Sequence, residues 1–354
     1  MAPVWTITLD AAPADALAYD ADHAFIALKA RTDEGQAQPA RVVALSLSDG
    51  STRWSRDVDD VHALVAGDNL LVACSGTRLL AFDAVEGRPL WQLPLDAPLA
   101  APLHYDGGWL VAVTQASQAL AIRARDGQKV WQVRLPSPAT GEPALSGDGL
   151  YLPLTDNRVV RLNLQTGTGA WDRKILSQPM TILLSGDRVF VGTRERWFYA
   201  LEPDSGRVQW RVRVGAGIAG TPAADAASVV FLSLDNLLRA LDRSGGSLKW
   251  RQLLTRRGRF GPFPVGQALF VSGASPTIQA YSRVGGAPAG SFDAPHDLDK
   301  PVHVVGGLTD RDFLLIAVTV EREVIAIRPH TLEPEAFAIS PLAAFAAGQP
   351  RWRW

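Results

Sequence analysis

The segment AIRARDGQKVW, residues 121–131, decides the fold, because its pattern returns along almost the whole chain. It contains Ala121, Gly127 and Trp131, with five and then three residues between them. An Asp-Gly pair favours a tight turn, in which glycine adopts a positive φ angle at little steric cost, and the Val-Trp that follows is typical of a β-strand. The segment therefore predicts a β-hairpin whose second strand carries a large aromatic side chain.

Six copies of this pattern keep the tryptophan, at intervals of 37 to 40 residues. A seventh copy keeps the frame but has Gly290 at the tryptophan position, and Ala326 begins an eighth copy that never reaches its glycine. Most units also carry a Gly-Asp or Asp-Gly turn followed by a short apolar strand, which gives four strands per unit. Because a period near 40 residues carried by hairpins is typical of a β-propeller, the sequence predicts an all-β, eight-bladed β-propeller of four-stranded antiparallel blades.

The two ends of the chain predict how the ring closes. The eighth unit supplies three strands and leaves the pattern at Arg328, whereas residues 4–9 form an extra tryptophan-bearing strand at the other end. We expect this N-terminal strand to complete the eighth blade, with Trp5 at the eighth tryptophan position, so that no sheet edge is exposed. The alternative is a fourth strand from residues 335–340. The expected domains are one propeller over residues 1–329 and an extension over residues 330–354, partly disordered or docked on the propeller.

The repeated tryptophans are predicted to be structural. Their regular spacing fits a side chain that covers the neighbouring blade from an outer strand, and the small alanine ten residues earlier leaves room for the ring. That regularity argues against stacking on a sugar or cofactor. The predicted packing residues are Trp5, Trp54, Trp91, Trp131, Trp171, Trp210 and Trp250.

The composition excludes several classes of function. The chain of 354 residues has 35 Lys and Arg against 36 Asp and Glu, so no basic excess marks a nucleic-acid partner. The single cysteine, Cys74, excludes an internal disulfide and lies in an apolar strand, which predicts a buried thiol. The sequence contains no stretch of about 20 apolar residues, the length that would predict a membrane span. The first residues resemble neither a leader nor a lipidation signal, which predicts a cytoplasmic location, or a periplasmic one if a signal peptide has been removed.

Two loops are candidate protein-binding sites. Residues 255–263, TRRGRFGPF, combine three arginines with aromatic residues, the types enriched at interface hot spots, although a solvated basic loop is the alternative. Residues 194–197, RERW, add a tryptophan outside the repeated position. Trp109 also lies outside that position and is expected in the core. The candidate interface residues are Arg256, Arg257, Arg259, Phe260, Arg194 and Trp197.

A propeller also has a central funnel lined by the first strand of each blade. Polar residues at or near the starts of these strands predict a funnel mouth, although solvated rim residues are the alternative. His296 and His303 lie seven residues apart, but a loop that runs into a strand does not ensure that they converge, so no metal site is predicted. No catalytic or phosphate-binding motif is present in a supporting context. The candidate mouth residues are His62, Glu142, Thr221 and Lys300.

The repeated hairpins are DGSTRW (49–54), EGRPLW (86–91), DGQKVW (126–131), TGTGAW (166–171), SGRVQW (205–210) and GGSLKW (245–250). They resemble the PQQ-like (pyrroloquinoline-quinone-type) propeller repeats of quinoprotein dehydrogenases and of outer-membrane assembly lipoproteins of the BamB type. The enzymatic branch implies a quinone stacked on two adjacent half-cystines and a bound Ca²⁺, and Cys74 alone cannot supply that disulfide. The BamB-like branch fits the blade count and the N-terminal tryptophan strand better.

Together these features predict a non-enzymatic propeller, without cofactor or metal, that mediates protein–protein interactions within a larger bacterial assembly. One alternative is a ligand- or cofactor-binding propeller related to a degenerate quinoprotein. Another is a BamB-like envelope assembly factor without its signal peptide.

Overall fold

The structure is a computed structural model that describes residues 1–33, 36–306 and 313–328. Its strands form eight four-stranded antiparallel sheets and one two-stranded hairpin. The eight sheets are the blades of a β-propeller, which confirms the predicted fold. The candidate extension at residues 330–354 and the alternative strand at residues 335–340 lie outside the described residues.

The first three blades follow the N-terminal strand β1 (Ala2–Thr8). Blade 1 contains β2 (Pro13–Tyr19), β3 (His23–Leu28), β6 (Arg41–Ser46) and β7 (Thr52–Asp57), with the inserted hairpin β4 (Arg31–Asp33) and β5 (Gln36–Gln38). Blade 2 contains β8 (Val61–Gly67), β9 (Leu70–Ser75), β10 (Arg78–Asp83) and β11 (Pro89–Pro94). Blade 3 contains β12 (His104–Asp106), β13 (Trp109–Thr114), β14 (Gln118–Arg123) and β15 (Gln128–Arg134).

The remaining blades repeat this order. Blade 4 contains β16 (Ala144–Ser146), β17 (Gly149–Leu154), β18 (Arg158–Asn163) and β19 (Gly169–Lys174). Blade 5 contains β20 (Pro179–Ser185), β21 (Arg188–Thr193), β22 (Trp197–Leu201) and β23 (Val208–Arg213). Blade 6 contains β24 (Ile218–Ala224), β25 (Ser228–Ser233), β26 (Leu237–Asp242) and β27 (Leu248–Leu253). Blade 7 contains β28 (Phe260–Val265), β29 (Ala268–Ser272), β30 (Thr277–Ser282) and β31 (Pro288–Asp293). Blade 8 contains β32 (His303–Gly306), β33 (Phe313–Val318) and β34 (Glu323–Arg328).

The N-terminal strand completes blade 8, as predicted. β1 pairs antiparallel with β34, with Trp5 opposite Ala326, as Trp131 is opposite Ala121 in blade 3. The Leu9 N–H beyond β1 donates to the Arg322 carbonyl at 2.8 Å. The ring is therefore closed by strands from both ends of the described chain.

Each repeated tryptophan reaches the following blade. The Trp91 indole N–H donates to the Ala124 carbonyl at 2.8 Å, and its ring lies against Gly127, where an added Cβ would come within 2.6 Å of the ring. Gly127 also has a φ of 70°, so both the turn and the ring contact require glycine there. The equivalent pairs are Trp5 with Gly50, Trp54 with Gly87, Trp131 with Gly167, Trp171 with Gly206, Trp210 with Gly246, and Trp250 with Gly286.

This pairing explains the missing tryptophan of blade 7. A tryptophan at this position of blade 7 would contact a glycine in the turn between the third and fourth strands of blade 8. Those two strands come from opposite ends of the chain. No hairpin joins them, so a ring at position 290 would lack its usual partner. An added Cβ on Gly290 meets no atom within 4 Å.

The core lies between neighbouring blades. Phe198 on blade 5 stacks on Phe231 of blade 6 with ring centroids 4.2 Å apart, and both are fully buried. Cys74 is also fully buried, as predicted, and burial raises the pKa of its thiol to about 12. Such a thiol is protonated and unreactive at neutral pH.

Candidate functional site

The antiparallel order of the strands gives the ring two faces. Turns between first and second strands and between third and fourth strands lie on one face, which we call the hairpin face. Turns between second and third strands lie on the other, together with the connections between blades, and we call this the linker face. The candidate interface residues of both loops lie on the linker face.

The predicted arginine loop connects blades 6 and 7, and its backbone is held by a buried amide. The Gln279 side chain, 4% exposed, accepts hydrogen bonds from the Thr255 hydroxyl at 2.6 Å and the Arg256 N–H at 3.2 Å. It also donates to the Arg256 carbonyl at 3.3 Å. The Gly258 N–H donates to Asn236 Oδ1 at 3.1 Å. The loop therefore presents its exposed arginine side chains on a fixed backbone, which lowers the entropy cost of binding.

Both predicted aromatic residues are covered by arginines. The Arg259 guanidinium lies 5.3 Å from the ring centroid of half-buried Phe260. Trp197 is the first residue of β22 and is half-buried against the core between blades 4 and 5, with Arg211 at 5.4 Å from its ring. Arg194 is exposed and donates to Gln178 Oε1 at 3.1 Å. Trp197 is thus a packing residue at the edge of the surface, and it does not protrude.

The fold gathers further arginines around these loops. Arg196 precedes β22, Arg211 and Arg213 lie on β23, and Arg251 lies on β27, so that blades 5–7 carry one exposed basic surface. Within the described ranges, none of these arginines or those of the two loops forms an ion pair. The members of this surface, which we call the arginine arc, are Arg194, Arg196, Arg211, Arg213, Arg251, Arg256, Arg257 and Arg259.

Arg239 on blade 6 is different, because it is buried and paired. It is 8% exposed and donates to Asp235 at 2.9 and 2.6 Å. These hydrogen bonds, opposed by partial burial of the carboxyl, hold the pKa of Asp235 at about 2. Because Asp235 is already paired with Arg239, its charge does not neutralise the arginines of the arc.

The Asp235–Arg239 pair predicts a defined pH dependence of stability. The pKa of an unfolded aspartate is about 4, so the pair stabilises fully above about pH 5 and loses its contribution as the pH falls through about 4 to about 2. Asp235→Asn should lower the melting temperature at pH 7 by about 2–4 °C, and the difference from the parent chain should shrink towards pH 2. Thermal melts by circular dichroism test this. Asp156→Asn, in the more exposed pair with Arg158, is the control and should have less effect. A difference for Asp235→Asn that is independent of pH would contradict the assignment.

The predicted funnel mouth divides into two groups. Glu142 and Thr221 line one cavity of about 330 Å³ together with His104, whose Nδ1 lies 3.2 Å from Glu142 Oε1. His62 lines a second cavity of about 330 Å³ near Asp15. Lys300 forms ion pairs with Asp15 and, at 3.0 Å, with Asp299. The four predicted residues therefore do not form one site.

Sequence reasoning missed an aromatic contact between first strands at the central funnel. Tyr19 and His303 meet edge to face with ring centroids 5.7 Å apart. Burial lowers the pKa of His303 to about 4, so this ring is neutral at pH 7. Burial, and then the Glu142 carboxylate, raise the pKa of Tyr19. The partner of His296 is not His303 but Glu323, whose Oε2 lies 2.9 Å from His296 Nδ1. Within the described part of the chain, no group of three or more His, Cys, Asp or Glu side chains could hold a metal ion.

The residues present do not fit the quinone that the resemblance to the enzymatic propellers implies. That quinone is expected to stack on a disulfide, whereas this chain has one cysteine, buried in β9. Among the residues that the structure describes, there is also no helix long and apolar enough to cross a membrane.

Comparison with known proteins gives one matching family model. The model described as outer membrane protein assembly factor BamB matches residues 38–182 and 179–287. The curated outer membrane protein assembly factor BamB of Yersinia pestis is 25% identical over 196 residues, which cover 47% of this chain and 49% of the relative. The match thus spans about half the length of this curated relative.

Solved structures share the fold. BamB from Moraxella catarrhalis superposes with a TM-score of 0.68 at 17% identity, covering 92% of this chain and 98% of that one. Sqt1 of Chaetomium thermophilum, solved with the N-terminus of ribosomal protein L10, gives 0.73 at 14% identity, covering 92% and 99%. A quinohemoprotein alcohol dehydrogenase of Pseudomonas putida gives 0.67 at 11% identity, covering 94% and 77%. At these identities the likeness shows the propeller fold alone.

Proposed function

Because the chain belongs to the family of the outer membrane protein assembly factor BamB, we propose that it is a non-enzymatic scaffold that binds proteins within a bacterial envelope assembly. The observation that carries the proposal is the arginine arc. It combines exposed cationic side chains, half-buried aromatic rings and a backbone held by Gln279 and Asn236. Arginine and aromatic residues are enriched where partners bind tightly.

The family supports a location in the bacterial envelope. The family description names outer-membrane protein assembly, which favours the envelope over the cytoplasm. The partner would then be another protein of that compartment, reached through the linker face.

Removing the arginines of the loop between blades 6 and 7 tests the proposal. The triple variant Arg256→Gln, Arg257→Gln and Arg259→Gln should fold normally, because the loop is held by backbone atoms and by Gln279. Proteins cross-linked to the tagged chain in its native host should fall by about tenfold in mass-spectrometric recovery, since hot-spot residues dominate binding.

A matched control removes three exposed arginines from the hairpin face, by Arg88→Gln, Arg125→Gln and Arg207→Gln. It loses the same charge and should retain the partners. Equal recovery with both variants would discard the loop as the interface. The scaffold proposal itself fails if the purified chain, given pyrroloquinoline quinone and Ca²⁺, reduces a dye in the presence of alcohols or aldose sugars.

A further inference from the structure

We propose that the arginine arc binds a carboxylate-rich protein segment in which acidic and apolar side chains alternate along the chain. The inference rests on the proposed scaffold function and adds the chemistry of the partner.

The first observation is the concentration of exposed arginines on one part of the linker face. Blades 1 and 2 carry both charges on this face, because exposed Lys29, Arg56 and Arg78 lie there together with exposed Asp57, Asp59, Asp60 and Asp96. The arginine arc lies on blades 5–7, on the opposite side of the eight-bladed ring. The overall net charge of −1 therefore does not reveal this local concentration of arginines. Such a field orients and attracts a partner of complementary charge.

The second observation is that the arginines of the arc form no ion pairs within the described ranges. Exposed Glu195 lies among them, and exposed Asp293 lines the same cavity as Arg256, but neither is paired with an arginine of the arc. Asp235, on the same face, is already neutralised by Arg239 at 2.6 Å. Carboxylates from a partner would supply what the chain itself does not.

The third observation concerns the type of anion. All eight charges are guanidinium groups, whose planar donors match a carboxylate bidentately. Large apolar side chains lie on the same face, because Leu176 follows β19, Leu234 follows β25 and Leu253 ends β27. They are 54%, 59% and 61% exposed. A segment with both acidic and apolar side chains satisfies both features.

The aromatic residues argue against other polyanions. Stacked bases and membrane interfaces both use open aromatic faces or protruding rings. Here Arg211 lies over Trp197 and Arg259 lies over Phe260, and both rings are half-buried. A protein segment is therefore favoured over single-stranded RNA and over an anionic membrane surface.

Binding of defined probes to the purified full-length chain tests this inference. The first probe is a fluorescein-labelled 12-residue peptide in which acidic residues and leucines alternate, and the second has Asn and Gln in place of the acids. We expect the acidic peptide to bind, to weaken as salt is raised, and to bind about tenfold more weakly to the variant Arg196→Asn, Arg213→Gln and Arg251→Gln. Fluorescence anisotropy measures the Kd.

Two further variants define the role of each component. The hairpin-face control with Gln at Arg88, Arg125 and Arg207 should bind the acidic peptide like the parent chain. Leu234→Ser with Leu253→Ser should weaken binding several-fold. Circular dichroism melts check that each variant is folded. Equal binding of the amide peptide, or no effect of either the arginine or the leucine changes, would overturn the inference.

Other occupants are separate outcomes. Arginine-dependent binding of phosphatidylglycerol vesicles or of a 12-nucleotide RNA in place of the peptide would overturn the inference. So would concentration-dependent dimerisation in sedimentation that the arginine variant abolishes, because a second copy of the chain would then occupy the arc. If cross-linked partners still depend on the arc while the peptide fails, the scaffold proposal stands and the inference alone fails.

Discussion

A Trp54→Ala variant is expected to lose about 3–5 kcal/mol of unfolding free energy, the usual cost of removing a buried aromatic ring. Trp54 is 8% exposed, and its indole N–H donates to the Ala84 carbonyl of blade 2 at 2.9 Å. Its ring also packs against Phe25, with centroids 5.8 Å apart. The substitution therefore opens a cavity between blades 1 and 2 and leaves a carbonyl without its donor.

Urea denaturation followed by far-UV circular dichroism measures this loss without depending on tryptophan fluorescence. Leu90→Ala is the control, because Leu90 lies on the outer strand of blade 2 and is 47% exposed. It should change the free energy by at most about 0.5 kcal/mol. A loss below about 1 kcal/mol for Trp54→Ala would contradict a structural role for the repeated ring.

The glycine that faces the ring makes the test sharper. Gly87 has a φ of 67°, and an added Cβ would lie 2.7 Å from the Trp54 ring. Gly87→Ala should therefore cost more than the roughly 1–2 kcal/mol of backbone strain alone. In the Trp54→Ala background the ring is absent, so the same change should cost only that strain. Additive effects in this double-mutant cycle would show that ring and glycine do not interact.

The fold could be predicted because the same residues serve every blade. Trp131 and Gly127 recur with a constant frame, and the period identifies a propeller without any knowledge of contacts. The contact between each ring and the glycine of the following blade was not predicted, because both residues already had a sufficient local explanation. A signal existed, since Gly290 replaces the tryptophan in the copy that precedes the one without a glycine.

The candidate site was less accessible to sequence reasoning. Arg256 and Arg257 are adjacent in sequence, so the sequence alone predicts them as candidate interface residues. Arg213 and Arg251 lie on different blades, and only the closed ring of blades brings them to the same face as that loop. A net charge of −1 averages this surface with the acidic residues elsewhere on the chain. The His104–Glu142 contact spans 38 residues, close to one repeat, so aligning the repeats could have placed these residues at or just before the starts of neighbouring first strands.

The closing strand predicts the second large effect. A variant lacking residues 2–9 would leave β34 as an open sheet edge and would lose the packing of Trp5, Ile7 and Leu9. At about 1.5–3 kcal/mol for each buried apolar side chain, the loss is roughly 5 kcal/mol. Open edges also pair with other chains, so the variant should form larger or more abundant oligomers than the parent chain. Urea denaturation and size-exclusion chromatography measure the two effects.

Addition of the missing strand as a peptide separates ring closure from general damage. The peptide APVWTITL, residues 2–9, should bind the truncated chain by strand addition, restore the urea midpoint and suppress oligomers. A peptide with alanine at position 5 retains the backbone pairing but lacks the indole that donates to the Leu47 carbonyl at 2.8 Å and lies against Gly50. It should rescue less well, and a scrambled peptide should not rescue at all. If the truncated chain were as stable as the parent and had the same oligomeric state, β1 would not be the element that closes the ring. If both the native and the alanine peptides rescued equally, closure would depend on the hydrogen-bonded edge alone, and Trp5 would not stabilise the junction between blades 8 and 1.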